Sequence, residues 1–195
     1  MTDSPTPYAP DSRSMRGRML AGDMYIADDP ELARESERAL RLMHRLNTMD
    51  PTDGAARRAV LTELLGAFGE DSEIRPPFRC DYGSQTFVGA RTFANFGLMI
   101  LDVATVTIGD DVQIGPNVQL LTPIHPIEPG PRRDKWEAAK PIAIGDNVWL
   151  GGGVIVCPGV TIGENTVVGA GGVVTKNLPP NVLAVGNPAR VIRHI

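Results

Sequence analysis

The stretch IGDNVWLGGGVIVCPGVTIGENTVVGAGGVVTKNLP, residues 144–179, divides without remainder into six units of six residues. The first position of each unit is aliphatic: Ile144, Leu150, Val156, Ile162, Val168 and Val174. Glycine follows in four of the six, and the fifth position is Val, Thr or Gly except at the end, where the larger Leu178 departs from the trend. A period of six is not the three-to-four spacing of an amphipathic helix, nor the two-residue alternation of an ordinary strand. It fits a short strand and a corner, repeated so that three units close one coil of a prism. Each first-position side chain then points inward and stacks on its equivalents, and glycine beside it permits a tight corner.

The same rule holds upstream in IGDDVQIGPNVQ from Ile108, and Val88, Ala94 and Ile100 keep the spacing before a two-residue irregularity. One segment breaks it outright. TPIHPIEPGPRRDKWEAAKP, residues 122–141, carries five prolines, four Lys or Arg, a tryptophan and His125. A stacked prism is rigid and featureless, so a site requires something that projects from it.

The bulk properties narrow the function classes. The chain has 195 residues, 42% hydrophobic, with 21 Gly, 17 Pro and few aromatics. That suits a Val/Ile/Leu core fed by many turns. A net charge of −4 argues against nucleic-acid binding. Two cysteines give no disulfide framework, and neither a signal peptide nor a membrane-length apolar run is visible. The expected address is the cytoplasm.

Residues 1–14, rich in Pro, Ser and Asp, are expected to form a flexible tail. Residues 15–70 form an N-terminal helical unit. In DPELARESERALRLMHRLN, Leu32, Ala33, Ala39, Leu40, Leu42, Met43 and Leu46 recur at helical spacing behind Asp29 as N-cap and Pro30 in the first turn. A second helix is expected in PTDGAARRAVLTELLGAF. Residues 71–195 form the β-helix, with the excursion 122–141.

Together these features resemble one family. FANFGLMILDVATVTIGDDVQIGPNVQLLTPIHP and KPIAIGDNVWLGGGVIVCPGVTIGENTVVGAGGVVTKNLPPNVLAVGNPARVIR are similar to the hexapeptide-repeat acyltransferases. With LAGDMY and FRCDYG, the resemblance narrows to the maltose and galactoside O-acetyltransferases and covers about residues 15–195. It implies a left-handed parallel β-helix, a homotrimer with active sites between subunits, and acetyl-CoA as donor to a sugar hydroxyl in a ternary complex.

A neutral sugar hydroxyl attacks a thioester poorly and needs a base. Of the three histidines, His44 lies in a predicted helix and His194 beside the last residue. His125 stands at the root of the excursion, flanked by Pro123 and Pro126, which restrict its backbone. An ordinary loop histidine is the alternative, but the break in the repeat and the resemblance favour a general base. The oxyanion needs a donor, for which backbone N–H groups at Gly151–Gly153 are candidates, and relatives often carry Ser at the position of Gly152.

The resemblance sets Asn95, Phe93 and Asp81 against the acceptor, although Asn95 could equally be a left-handed corner residue. Val103, where the galactoside branch has a second acid, favours a maltose- or glucose-type acceptor. Tyr25 matches an aromatic of the N-terminal motif, while the acid expected two positions later is Ala27, with Asp28 adjacent. On the donor side Trp149, Gly152, Ala170 and Thr175 match cofactor contacts, and Lys176, Arg190 and Arg193 supply cations for the CoA phosphates. Arg132, Arg133 and Trp136 are expected to reach over a neighbouring subunit or the acceptor.

Other acceptors (an amino sugar, an oligosaccharide signal, an antibiotic hydroxyl, serine) fit the same motifs. A metal-dependent hydratase needs three histidines where the repeat has one, so no metal is expected. A purely structural β-helix would have uniform faces and no histidine-bearing excursion.

Overall fold

In the computed structural model, which describes Tyr8 and residues 12–195, the hexads stack into a three-sided parallel β-helix. Apart from Tyr8 and residues 12–14, the expected tail lies outside the described residues. The first sheet stacks Ala67–Phe68, Thr86–Val88, Val106–Ile108, Ile142–Ile144 and Thr161–Ile162. The second stacks Glu73–Ile74, Phe93–Ala94, Gln113–Ile114, Trp149–Leu150, Val167–Val168 and Val182–Val185, closed by the antiparallel strand Arg190–His194. The third stacks Arg79–Cys80, Met99–Leu101, Gln119–Leu121, Ile155–Val156 and Val173–Val174.

Register follows the hexads. Ile144 pairs with Ile108 and Ile162, Leu150 with Ile114 and Val168, and Val156 with Leu120 and Val174. All these side chains are buried in one continuous column, and Leu178, the exception to the pattern, joins it. Stacking like on like is what a six-residue period delivers, because each inward position recurs every third unit.

The edge between the first and second sheets explains the Asn and Asp residues of the repeat. Asp71, Arg91, Asp111, Asn147, Asn165 and Asn181 all have φ between 54° and 59°, a left-handed conformation that Asn and Asp adopt most readily among residues with a side chain. The amide of Asn147 donates to Asn165, and that of Asn165 to Asn181, each at 2.9 Å. Glycine after the first position has a different cause from the expected corner geometry. Gly109 is not left-handed; a Cβ there would lie 2.2 Å from Oδ1 and 2.8 Å from N of Asp146. The close approach of successive coils requires it.

The N-terminal unit has one helix more than expected. Helix α1, Met15–Leu20, is capped by Ser14 and is too short to register as a periodic pattern. Helix α2, Pro30–Thr48, starts as expected at Asp29, whose carboxylate accepts from the amides of Glu31 and Leu32. Its buried stripe is Leu32, Ala39, Leu42, Met43 and Leu46, whereas Leu40 and Ala33 face outward. Helix α3, Gly54–Leu64, begins at the Asp53 cap. Asn47 clamps α2 to the prism by exchanging two 2.9 Å hydrogen bonds with the backbone of Phe78. Among the described residues no helix is long and apolar enough to cross a membrane.

The excursion is an ordered hairpin. Pro123–Ile124 and Trp136–Ala139 pair antiparallel around a short helix α4, Pro129–Arg133, and Tyr25–Ile26 adds a third strand. Arg132 donates to the carbonyls of Pro126 and Ile127 and so ties the hairpin's tip to its own strand. Trp136 turns back onto its own chain, with the Arg18 guanidinium 5.3 Å from its ring centroid. It therefore anchors the hairpin to α1 instead of reaching outward.

Candidate active site

The edge between the third and first sheets carries the long connections. Here the coils turn through Asp81–Gln85, Asp102–Thr105 and the whole excursion Thr122–Pro141, whereas the other two edges turn tightly. The two-residue irregularity before Ile108 is one of these longer turns, and it positions Asp102. That carboxylate is fully buried and accepts from the amides of Asp81 at 3.1 Å, Tyr82 at 2.9 Å and Gln85 at 3.2 Å. Three backbone donors satisfy its oxygens. One coil above, the buried Thr122 hydroxyl donates to Leu101 O at 2.6 Å and accepts from Ala104 N. The floor beneath the excursion is thereby fixed.

His125 follows directly from this floor. The register pairs Pro123 with Ala139 and Ile124 with Ala138, so it continues to set His125 across from Glu137. On its other side Glu137 pairs with Tyr25. Tyr25 and Glu137 are therefore cross-strand neighbours, and His125, one residue past the strand Pro123–Ile124, lies at the end of their row. The Tyr25 hydroxyl donates to Glu137 Oε1, and Glu137 Oε2 lies 3.6 Å from His125 Nε2. The imidazole is 56% exposed and the Glu137 side chain 14%.

Glu137 was not among the sequence candidates. WEAA consists largely of helix-forming residues, and the strand that pairs with it begins 112 positions away in sequence. Tyr25 was noted only as a motif aromatic; it is completely buried. Burial, then the hydrogen bond to Glu137 and its negative charge, push the phenol far above its usual range, so it remains a donor. The uncertain acid beside it is accounted for differently: Asp28 pairs with Lys135 of the excursion.

Asp81 lies on the same edge. Burial, and secondarily the charges of Asp102 and Glu137, raise its carboxyl from 3.8 to about 6. Among the described residues no donor satisfies its side chain. Tyr82, buried next to it, is likewise pushed up by burial and then by Asp81 and Glu137. Val103 is buried with Tyr25 and Tyr82.

The other candidates occupy different edges. Phe93 and Trp149 share the outward row of the second sheet with Gln113 between them; Trp149 is 56% exposed. The Arg75 guanidinium lies 4.9 Å from the Phe93 ring centroid. Asn95, Gly152 and Ala170 lie on the edge between the second and third sheets. Asn95 is not left-handed, which removes the corner explanation; Gly97 holds φ +78° in that turn. Gly151 N donates to Val168 O and Gly153 N to Pro116 O, while Gly152 N has no acceptor among the described residues. A Cβ on Gly152 would sit 3.4 Å from Pro116, so a side chain fits there.

Thr175 and Lys176 return to the edge that bears His125, and Arg190 and Arg193 lie on the exposed terminal strand. None of these three cations has a carboxylate partner among the described residues. One chain thus brings His125 and Asp81 to one edge, and Asn95, Gly152 and Ala170 to another.

Comparison with known proteins matches this architecture. Residues 18–69 fit the maltose acetyltransferase hexapeptide capping motif, and residues 141–176 the bacterial transferase hexapeptide of six repeats. The chain is 42% identical to the galactoside O-acetyltransferase of Escherichia coli (strain K12), over 93% of this chain and 89% of that one. The structure of a maltose O-acetyltransferase from Clostridium difficile 630 superposes with a TM-score of 0.93 and 44% identity, covering 95% of this chain and 99% of that one. A hexapeptide-repeat acetyltransferase from Vibrio cholerae O1 biovar eltor, solved with acetyl coenzyme A, superposes at 0.87 with 38% identity, covering 93% and 98%. The chain belongs to the maltose and galactoside O-acetyltransferase family of hexapeptide-repeat acetyltransferases.

Proposed function

We propose that the protein transfers an acetyl group from acetyl-CoA to a hydroxyl of a maltose- or glucose-type sugar, with His125 as general base. The observation that carries this reading is the exposed imidazole of His125 on a rigid floor, 3.6 Å from a shielded carboxylate. The acceptor oxygen attacks the thioester carbon while His125 takes its proton, a contribution worth about 10²–10⁴ in rate. The tetrahedral oxyanion accepts from the amide of Gly152, which has no acceptor among the described residues. Collapse breaks the carbon–sulfur bond, and the imidazolium returns the proton to the CoA thiolate.

The division of candidates between two edges supports a homotrimer with sites between subunits. One protomer brings His125 and Asp81; its neighbour brings Asn95, Phe93 and Gly152. Asp81, whose side chain has no donor among the described residues, accepts from sugar hydroxyls. Trp149, Ala170 and Thr175 contact the pantetheine arm, and Lys176, Arg190 and Arg193, which have no carboxylate partner among the described residues, take the CoA phosphates.

A rival reading changes only the acceptor. The acidic cluster of Glu137, Asp81 and Asp102, with Glu137 3.6 Å from His125, favours an ammonium-bearing amino sugar over a neutral one. Thiol release from acetyl-CoA, followed across glucosides, maltose, galactosides, glucosamine and serine, tests both. The proposal expects the highest kcat/KM for glucosides or maltose; a clear preference for glucosamine supports the rival, and no turnover with any sugar contradicts both.

A further inference from the structure

We infer that Glu137 is the positioning residue for His125, held in place by Tyr25. The inference rests on the reading of His125 as the base and extends it to the group that makes the base effective.

Three observations converge on Glu137. First, the three-stranded sheet pairs Tyr25 with Glu137 and Ile124 with Ala138, and His125 follows Ile124 directly. The last paired residue, Ile124, thus delivers His125 to the level of Glu137. Second, the two carboxylate oxygens are divided between different partners. Oε1 accepts from the Tyr25 hydroxyl, and Oε2 faces His125 Nε2 at 3.6 Å. Because Tyr25 is buried and stays a donor, it leaves Oε2 as the oxygen directed at the imidazole. Third, Glu137 is shielded while the ring it faces is open to solvent. A shielded carboxylate interacts more strongly with a charge forming beside it than an exposed one does.

The separation of 3.6 Å exceeds a hydrogen bond. It suits a contact that tightens when the ring becomes an imidazolium during transfer. With Nε2–H directed at Glu137, Nδ1 is bare and takes the hydroxyl proton, so the carboxylate selects the tautomer as well as the orientation. The excursion gains a purpose from this arrangement: it brings Glu137 back antiparallel to the strand Pro123–Ile124 that leads into His125. Its docking on Tyr25 couples the N-terminal unit to the base.

Other ionisable groups face this row: Asp81 and Tyr82 from the turn below, Asp102 beneath them, and Glu35 from α2, whose charge acts on Tyr82. A test must therefore read the imidazole itself. Glu137→Gln keeps the shape and an acceptor for Tyr25 but removes the charge. Expected are a fall in kcat of about 10- to 100-fold, part of the 10²–10⁴ attributed to the base, unchanged KM for acetyl-CoA, and an unchanged melting temperature.

Loss of the carboxylate destabilises the imidazolium, so the His125 titration followed by NMR shifts to lower pH. The acid limb of kcat/KM shifts the same way. Glu137→Asp retains the charge and restores part of kcat. Tyr25→Phe, which frees Oε1, lowers kcat several-fold and is the second variant should Glu137→Gln fail to fold. An unmoved His125 titration with kcat within twofold overturns the inference. If His125→Ala also retains full activity, the underlying reading fails with it; if His125→Ala is inactive, only the role of Glu137 is refuted.

Discussion

Replacing Asp81 by Asn separates stability from function, because the same burial that suits the carboxyl to a site makes it costly to ionise. The group titrates at 3.8 when unperturbed and at about 6 in the folded protein, chiefly through burial and then through Asp102 and Glu137. Between those values the folded protein binds more protons than the unfolded chain, so stability falls as pH rises through the window. Below about pH 3.8 the carboxyl is neutral in both states and contributes nothing. Above about pH 6 the full cost applies.

At about 1.4 kcal/mol per pH unit the gap amounts to about 3 kcal/mol, and partial solvent contact reduces it to about 1–2 kcal/mol. Asn cannot ionise, and among the described residues it forfeits no hydrogen bond to the side chain. Asp81→Asn should therefore exceed the parent in stability by about 1–2 kcal/mol at pH 7.5 and match it at pH 4. Urea unfolding of both proteins at one protein concentration measures this difference. The variant should at the same time have a raised KM for the acceptor. A stability difference that does not change between pH 4 and pH 7.5 would refute the assignment of Asp81 as a carboxyl held out of its ordinary range.

Three further outcomes follow from the prism and its cations. Leu150→Ala removes a fully buried rung between Ile114 and Val168; a loss of about 3–5 kcal/mol in urea unfolding is expected, and less than 1 kcal/mol would contradict the stacked core. Asn165→Ala breaks two amide hydrogen bonds and puts a Cβ-bearing residue at φ +58° without a compensating amide. It should cost about 1–3 kcal/mol, with Asn165→Gly costing less because glycine accepts that conformation freely. Lys176→Ala and Arg190→Ala should each weaken CoA about tenfold by calorimetry and leave the acceptor KM unchanged; an unaltered CoA affinity removes them from the cofactor site.

Much of the prism could be read directly from the residues, because its core repeats at an interval that no other element shares. Ile144, Leu150 and Val156 each predict the burial of the next rung. Even the irregularity before Ile108 marked a real departure, the longer turn that carries Asp102. His125 was legible for a related reason: it stands where the repeat stops.

What remained hidden depends on pairing between distant segments. Glu137 lies among residues that favour helix, and only the antiparallel register with Pro123–Ile124 and Tyr25–Ile26 gives it meaning. Trp136 looked free to reach outward, since nothing in its neighbourhood of sequence announces Arg18 as its partner. Asn95 showed the reverse case. Its type suited a left-handed corner, but the turn takes that conformation at Gly97.

The central claim is that His125 is the base for acetyl transfer, and turnover of His125→Ala tests it most directly. With acetyl-CoA and the best acceptor saturating, kcat should fall at least 10²-fold, while the melting temperature and CoA affinity stay at parental values. Turnover within a few-fold of the parent, in a protein that melts normally, would contradict the account.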